Sequence, residues 1–118
     1  MAGEGLVELR LAIQRFRTAA EAWQLTSIDI AQLLGLPCVM ELDQLVLAVN
    51  ENSVERRMRL LTGLYEGLVS ILGGEEASGW MRHPNAGLGG LRPIVAMADY
   101  PDYLPAIARA VAEERASL

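Results

Sequence analysis

The run Trp80-Met81-Arg82-His83-Pro84-Asn85, followed by Gly87, Gly89-Gly90 and Pro93, constrains the fold more than any other stretch of this 118-residue chain. A helix that reaches Trp80 must stop before Pro84, whose ring removes a backbone donor and clashes with the preceding turn. Asn85 and the glycines are expected to supply positive φ angles for a compact turn. Pro93 suits the first position of the next helix, where its missing N–H costs nothing. The segment predicts a helix, a rigid Pro-Asn corner and a new helix, with Trp80 and Pro84 there to build the corner, pinned by one large ring.

The rest of the chain fits helices around that corner. Hydrophobic residues make up 52% with few aromatics, a helical composition, and no segment sustains the alternation of a strand. Leu6, Leu9, Ile13, Phe16, Ala20 and Trp23 fall on one helical stripe. Their three-four spacing permits a coiled-coil seam, although packing on the rest of the domain is the preferred reading. Thr26 and Asp29 form a box-like cap for a second helix, Ser27 to Leu34, which ends at Gly35. Pro37 is expected to open a third helix through Val49, with Cys38 a small core residue in its apolar run. Asn52 or Ser53 caps the longest helix, Val54 to Leu72, with Val54, Met58, Leu61, Tyr65, Leu68 and Leu72 as its buried stripe. Then come a short helix over Glu75–Arg82, the corner, a helix over Pro93–Ala98, and a last helix capped by Asp102. The expectation is all-α. An N-terminal amphipathic helix (1–23), a helix-turn-helix-like segment (24–53) and a helical C-terminal region (54–118) form one compact unit. Two long apolar stripes also predict a homodimer, through either the Leu6–Trp23 seam or the fourth helix.

Several chemistries are excluded. One cysteine and one histidine cannot make a zinc site, and no cofactor or metal is expected. His83 is the sole imidazole and has no nucleophile-base arrangement beside it. Glu75-Glu76 and Glu113-Glu114 are helix neighbours that diverge by about 100°. With neither a phosphate loop nor a dinucleotide fingerprint, an enzyme is not expected. No apolar run approaches membrane-spanning length and no signal-like N-terminus is present, which predicts a soluble cytoplasmic protein.

Ala31-Gln32-Leu33-Leu34-Gly35-Leu36 has the Ala-x-x-x-Gly spacing of a helix-turn-helix, where a small residue and a turn glycine let two helices approach. From Gln24 to Ser53, however, the chain has Asp29, Glu41, Asp43 and Glu51 and no basic residue. A surface of that charge opposes a polyanion, and Gln44, Asn50 and Asn52 do not offset it. Arg56, Arg57 and Arg59 form the basic cluster that could contact DNA phosphates, although a solvated helix face is its commoner meaning. DNA binding by the isolated chain is therefore doubtful.

The pattern W-M-x-x-P-N, a short Gly-rich loop and x-P-hydrophobic resembles the toxin-binding domain of Xre-type antitoxins, which is shared with the MbcA and ParS antitoxins. The resemblance runs from about Val54 to Val111 and extends back to Leu25 as a degenerate helix-turn-helix. It implies the antitoxin of a type II toxin–antitoxin system. Such an antitoxin binds a cognate toxin, commonly a RES-like protein that consumes NAD⁺, and occludes its substrate cleft; weak autoregulation of transcription could accompany this. Where the family often ends its last helix with Gly and a hydrophobic tail, Ala112–Leu118 here is charged. The toxin-binding surface is expected at Asn85, Tyr100, Tyr103 and Arg109, with exposed backbone donors in the Gly87–Gly90 loop and at the start of the last helix. Trp80, Pro84 and Pro93 are the structural motif. Two alternatives stay open: a DNA-binding regulator without a toxin, and a non-catalytic oligomerisation protein.

Overall fold

A computed structural model describes residues 2–41, 44–45 and 52–118, and all regular structure in them is helical. Six α-helices are described: α1 (Ala2–Ala22), α2 (Ser27–Leu34), α3 (Asn52–Leu72), α4 (Gly74–Gly79), α5 (Pro93–Asp99) and α6 (Tyr103–Ala116). Two single 3₁₀ turns, Trp80–Arg82 and Ala86–Leu88, join α4 to α5.

α1 lays its stripe onto the core rather than leaving it open. Ile13, Phe16, Ala20 and Trp23 are buried, with Leu9 packed against them. These positions of the seam are thus consumed within one chain, as ordinary packing of an amphipathic helix requires. The helix ends at a bend where Gln24 takes φ +55°. This left-handed conformation is uncommon for a residue with a Cβ, and it lets Leu25 turn inward. α2 then starts on the expected box. The Thr26 hydroxyl oxygen accepts from Asp29 N–H at 3.1 Å, and the Asp29 carboxylate accepts from Thr26 N–H at 3.0 Å. Gly35 closes α2 with φ +72°.

The helix expected from Pro37 does not begin there. Pro37 and Cys38 lie in a bend, residues 39–41 have no regular structure, and Cys38 is exposed rather than part of the core. The start signal comes four residues later. Glu41 N–H donates to Gln44 Oε1 at 3.1 Å while Gln44 N–H donates to Glu41 O at 2.9 Å, which is the reaching-back half of a capping box. Gln44 and Leu45 are helical. The rest of the helix expected through Val49 lies outside the described residues, as do Asp43, Asn50 and Glu51 of the helix-turn-helix-like segment.

α3 is the axis of the fold. Val54, Met58, Leu61, Leu64 and Leu68 are buried along it, whereas Leu72, expected inside, is 38% exposed at its end. α6 packs against α3 more extensively than any other pair of elements. The two run in the same direction: Arg57 meets the backbone just before α6, and ten residues on Gly67 meets Val111. A Cβ on Gly67 would lie 2.7 Å from Val111 Cγ1, so the glycine sets how closely the helices approach.

The two halves are cross-linked by polar contacts. Trp23 Nε1 donates to Ala77 O at 2.9 Å, and its ring meets Tyr65 edge-on at 5.3 Å. Arg82 donates to Gln24 O at 2.9 Å and pairs with Asp29 at 3.4 Å. Arg15 of α1 pairs with Glu66 of α3, which raises the arginine pKa. That last pair is exposed and contributes little to stability.

Candidate partner-binding site

The corner that dominates the sequence builds an open apolar hollow beside α6. α4 leads into the Trp80–Arg82 turn, and His83 is extended (φ −94°, ψ 134°) as the following proline demands. The turn after it is organised by Asn85 through hydrogen bonds. Asn85 Oδ1 accepts from Gly87 N–H at 2.8 Å, its carbonyl accepts from Leu88 at 3.0 Å and Gly90 at 2.9 Å, and its N–H donates to Leu91 O at 3.0 Å. Asn85 itself has φ −122°. The expectation that it supplies a positive φ is corrected: Gly89 and Gly90 do so, at +69° and +84°, and Asn85 acts as a side-chain turn former. Pro93 then opens α5 as its first residue and is buried.

The same hydrogen bonds correct the expected backbone donors. The N–H groups of Gly87 through Leu91 are all satisfied within the turn. At the start of α6, Tyr103 N–H donates to Tyr100 O at 2.9 Å and Leu104 N–H to Pro101 O at 3.4 Å. Asp102 adopts helical angles and makes no side-chain cap there. It lies instead in the field of Arg57. Among the side chains of the loop, the NH₂ of Asn85 donates no hydrogen bond to the described residues and is left for a partner.

Trp80 is half-buried, and the ring that pins the interior is Trp23, 1% exposed. One side of Trp80 walls a hollow of about 310 Å³ together with Leu68, Asn85, Leu88, Ile107 and Val111. Trp80 also borders a wider recess with Glu75, Glu76 and His83. Leu88, Ile107 and Val111 were not singled out as site residues by sequence reasoning. The signal was present in α6, where Ile107, Ala108 and Val111 form a stripe that is half-buried rather than closed.

The four residues expected to bind the toxin do not form one cluster. Asn85 lines the hollow. Tyr100 and Tyr103 are exposed and stacked on each other at 5.1 Å, around the start of α6. Arg109 lines a separate groove between α3 and α6. Pro84 is exposed in the corner, where its ring enforces the extended His83.

The Arg56-Arg57-x-Arg59 cluster is divided by helix geometry, because successive residues rotate by about 100°. Arg57 turns inward. Its Nε donates to Leu33 O at 2.5 Å and its Nη1 to Pro101 O at 3.0 Å, tying α2 and the start of α6 to α3. Burial lowers its pKa from the ordinary arginine value, and Asp102 partly restores it. Arg56 and Arg59 point to the groove shared with Arg109, and Arg59 also pairs with Glu55 at 3.5 Å.

Among the described residues, no group of three His, Cys, Asp or Glu is placed to hold a metal, and no helix is long and apolar enough to cross a membrane. Comparison with protein-family models, with curated proteins and with solved structures finds no match to this chain.

Proposed function

We propose that this all-helical protein is an antitoxin of the Xre type, which binds a cognate RES-like toxin and occludes its NAD⁺ cleft. The observation that carries the reading is the hollow between the Trp80–Leu88 corner and α6. It lies within the segment that resembles the antitoxin domain, and it joins a partly buried tryptophan, an aliphatic wall and one available amide. A half-buried aromatic in an apolar recess with a polar edge is the chemistry of an interface anchor. The recess needs little rearrangement to receive a partner, since Asn85 holds the loop through four hydrogen bonds. The adjoining acidic recess, lined by Trp80, Glu75 and Glu76, would then form a polar rim.

A DNA-reading role draws less support. α2 carries Asp29 and no basic residue, and Arg57 is committed to backbone carbonyls. The homodimer is retained as an expectation of this reading, with the exposed Val7 and Leu11 of α1 as its apolar contact rather than the consumed seam.

The test is coexpression with the toxin encoded beside its gene, followed by NAD⁺ consumption by the purified toxin. Leu88→Glu and Asn85→Asp should abolish neutralisation while leaving the helical spectrum and melting temperature near wild type. Neutralisation undiminished in both folded variants would place the inhibitory surface elsewhere. The lack of any NAD⁺-consuming neighbour inhibited by this protein would overturn the reading itself.

A further inference from the structure

We infer that the groove between α3 and α6 is a docking site for an acidic amphipathic helix of a partner protein, distinct from the hollow at Trp80. The inference does not depend on the antitoxin reading. The two parallel helices leave an open channel of about 710 Å³. Its floor is made of small and aliphatic residues: Leu60 and Gly63 from α3, Ala108 and Ala112 from α6. Arg56 and Arg59 stand on one rim, Arg109 and Arg115 on the other. Among the described residues no acid lines it. Four of the ten arginines of a chain with net charge −5 therefore converge on one channel. Arg56, Arg109 and Arg115 make no ion pair there, and all are exposed.

The shape selects a helix. The lining residues of α3 and of α6 each recur at spacings of three and four, so both walls are single helical stripes running side by side. A third helix can rest between two such stripes by fitting ridges into grooves. From Pro105 to Ala116 the channel spans about three turns, roughly 16 Å at 1.5 Å per residue. Gly63 supplies an independent pointer. It sits inside α3, is exposed, and a Cβ placed on it would meet nothing within 4 Å. Nothing in the described fold requires glycine there, unlike Gly67 four residues on. A missing side chain in the floor lets a partner backbone come close.

The charge selects the partner. An acidic helix can place carboxylates against both arginine rims while its apolar or small face covers the floor, so that Arg–carboxylate pairs frame a dry contact. A second copy joined groove to groove would set eight arginines against each other, which like-charge repulsion disfavours. A nucleic acid would match the rims but leave the apolar floor uncovered, and the net negative charge of the chain opposes it.

The test is selection of displayed helical peptides, about 14 residues long and randomised on one face, against the wild-type protein with counter-selection on Gly63→Leu. The expected winners carry Glu or Asp on both flanks of a small or apolar stripe. As synthetic peptides they should bind at least tenfold more weakly to Gly63→Leu and to the Arg56→Glu/Arg109→Glu double variant. Circular dichroism melting establishes that both variants remain folded, and Gly63→Ala serves as the milder second variant if Leu is not tolerated. Enrichment of no peptide, winners without acids, or affinity unchanged in the folded variants would overturn the proposal. A short DNA duplex displacing the winners at equal concentration would overturn it in favour of nucleic acid. Light scattering that shows self-association abolished by Gly63→Leu would overturn it in favour of a second copy.

Discussion

Trp23 and Trp80 stand at two corners of the same molecule and do opposite work. Trp23 closes α1, is 1% exposed, and spends its one polar atom on the Ala77 carbonyl, 54 residues away in sequence. Trp80 sits just after α4, only three residues beyond Ala77, yet its ring stays only partly buried and lines two recesses. The first ring joins the N-terminal helices to the corner. The second is presented by that corner. A large aromatic is therefore not in itself a sign of core or of interface; what decides is whether its polar atom and both faces find partners within the chain.

The comparison is most exposed to failure at Trp23. Trp23→Ala should lower stability by about 3–5 kcal/mol, because a fully buried ring leaves a cavity. It also removes the indole hydrogen bond to the Ala77 carbonyl, which keeps only the Trp80 N–H. Trp80→Ala, at a ring that is only partly buried, should cost less, about 2 kcal/mol. On the proposed antitoxin function, its larger effect should appear in toxin neutralisation. Urea titrations of the two variants side by side check this, and equal losses would erase the distinction between the rings.

Much of this was legible where the controlling interaction is local. The Thr26/Asp29 box, the end of α2 at Gly35 and the start of α5 at Pro93 depend on residues within one turn of each other, and they stand where the sequence puts them. The depth of each tryptophan depends on contacts made across the fold, which periodicity does not carry. The same holds for Arg57. Three arginines in four residues read as one cluster, but the carbonyls of Leu33 and Pro101 draw in the middle one and leave Arg56 and Arg59 to the groove. The apolar run around Cys38 suggests a helix face, whereas the chain there is not helical: Leu36 and Met40 pack on the core while Pro37, Cys38 and Val39 are exposed. The site was legible as a region, the corner with the last helix. Its walls were not, because half-burial of Ile107 and Val111 follows from how near α3 lets α6 come.

The division between inward and presented surface also runs along α3, at two glycines one turn apart. Gly67 is buried against Val111, and alanine there must displace a stiff β-branched side chain. Overpacking of this kind costs about 1–3 kcal/mol, from which the better helix propensity of alanine returns about 1. Gly67→Ala should thus destabilise by up to about 2 kcal/mol, and because it pushes α6 outward it should also alter the hollow at Trp80. A thermal melt at or above the wild-type value would show that the helices have slack between them.

Gly63→Ala should do the reverse, and it is the smallest effect and the most discriminating. The added methyl meets nothing within 4 Å, so no strain offsets the gain in helix propensity. The isolated protein should be stabilised by about 0.5–1 kcal/mol, the usual benefit of replacing glycine in an exposed helix interior. The same methyl intrudes on the floor of the arginine-rimmed groove, so a docked helix should be held less closely. A gain in melting temperature together with weaker peptide binding would separate the needs of the fold from those of the groove at a single atom. Loss of stability instead would mean that Gly63 serves the interior as Gly67 does, and the contrast between these two positions on one stripe of α3 would fail.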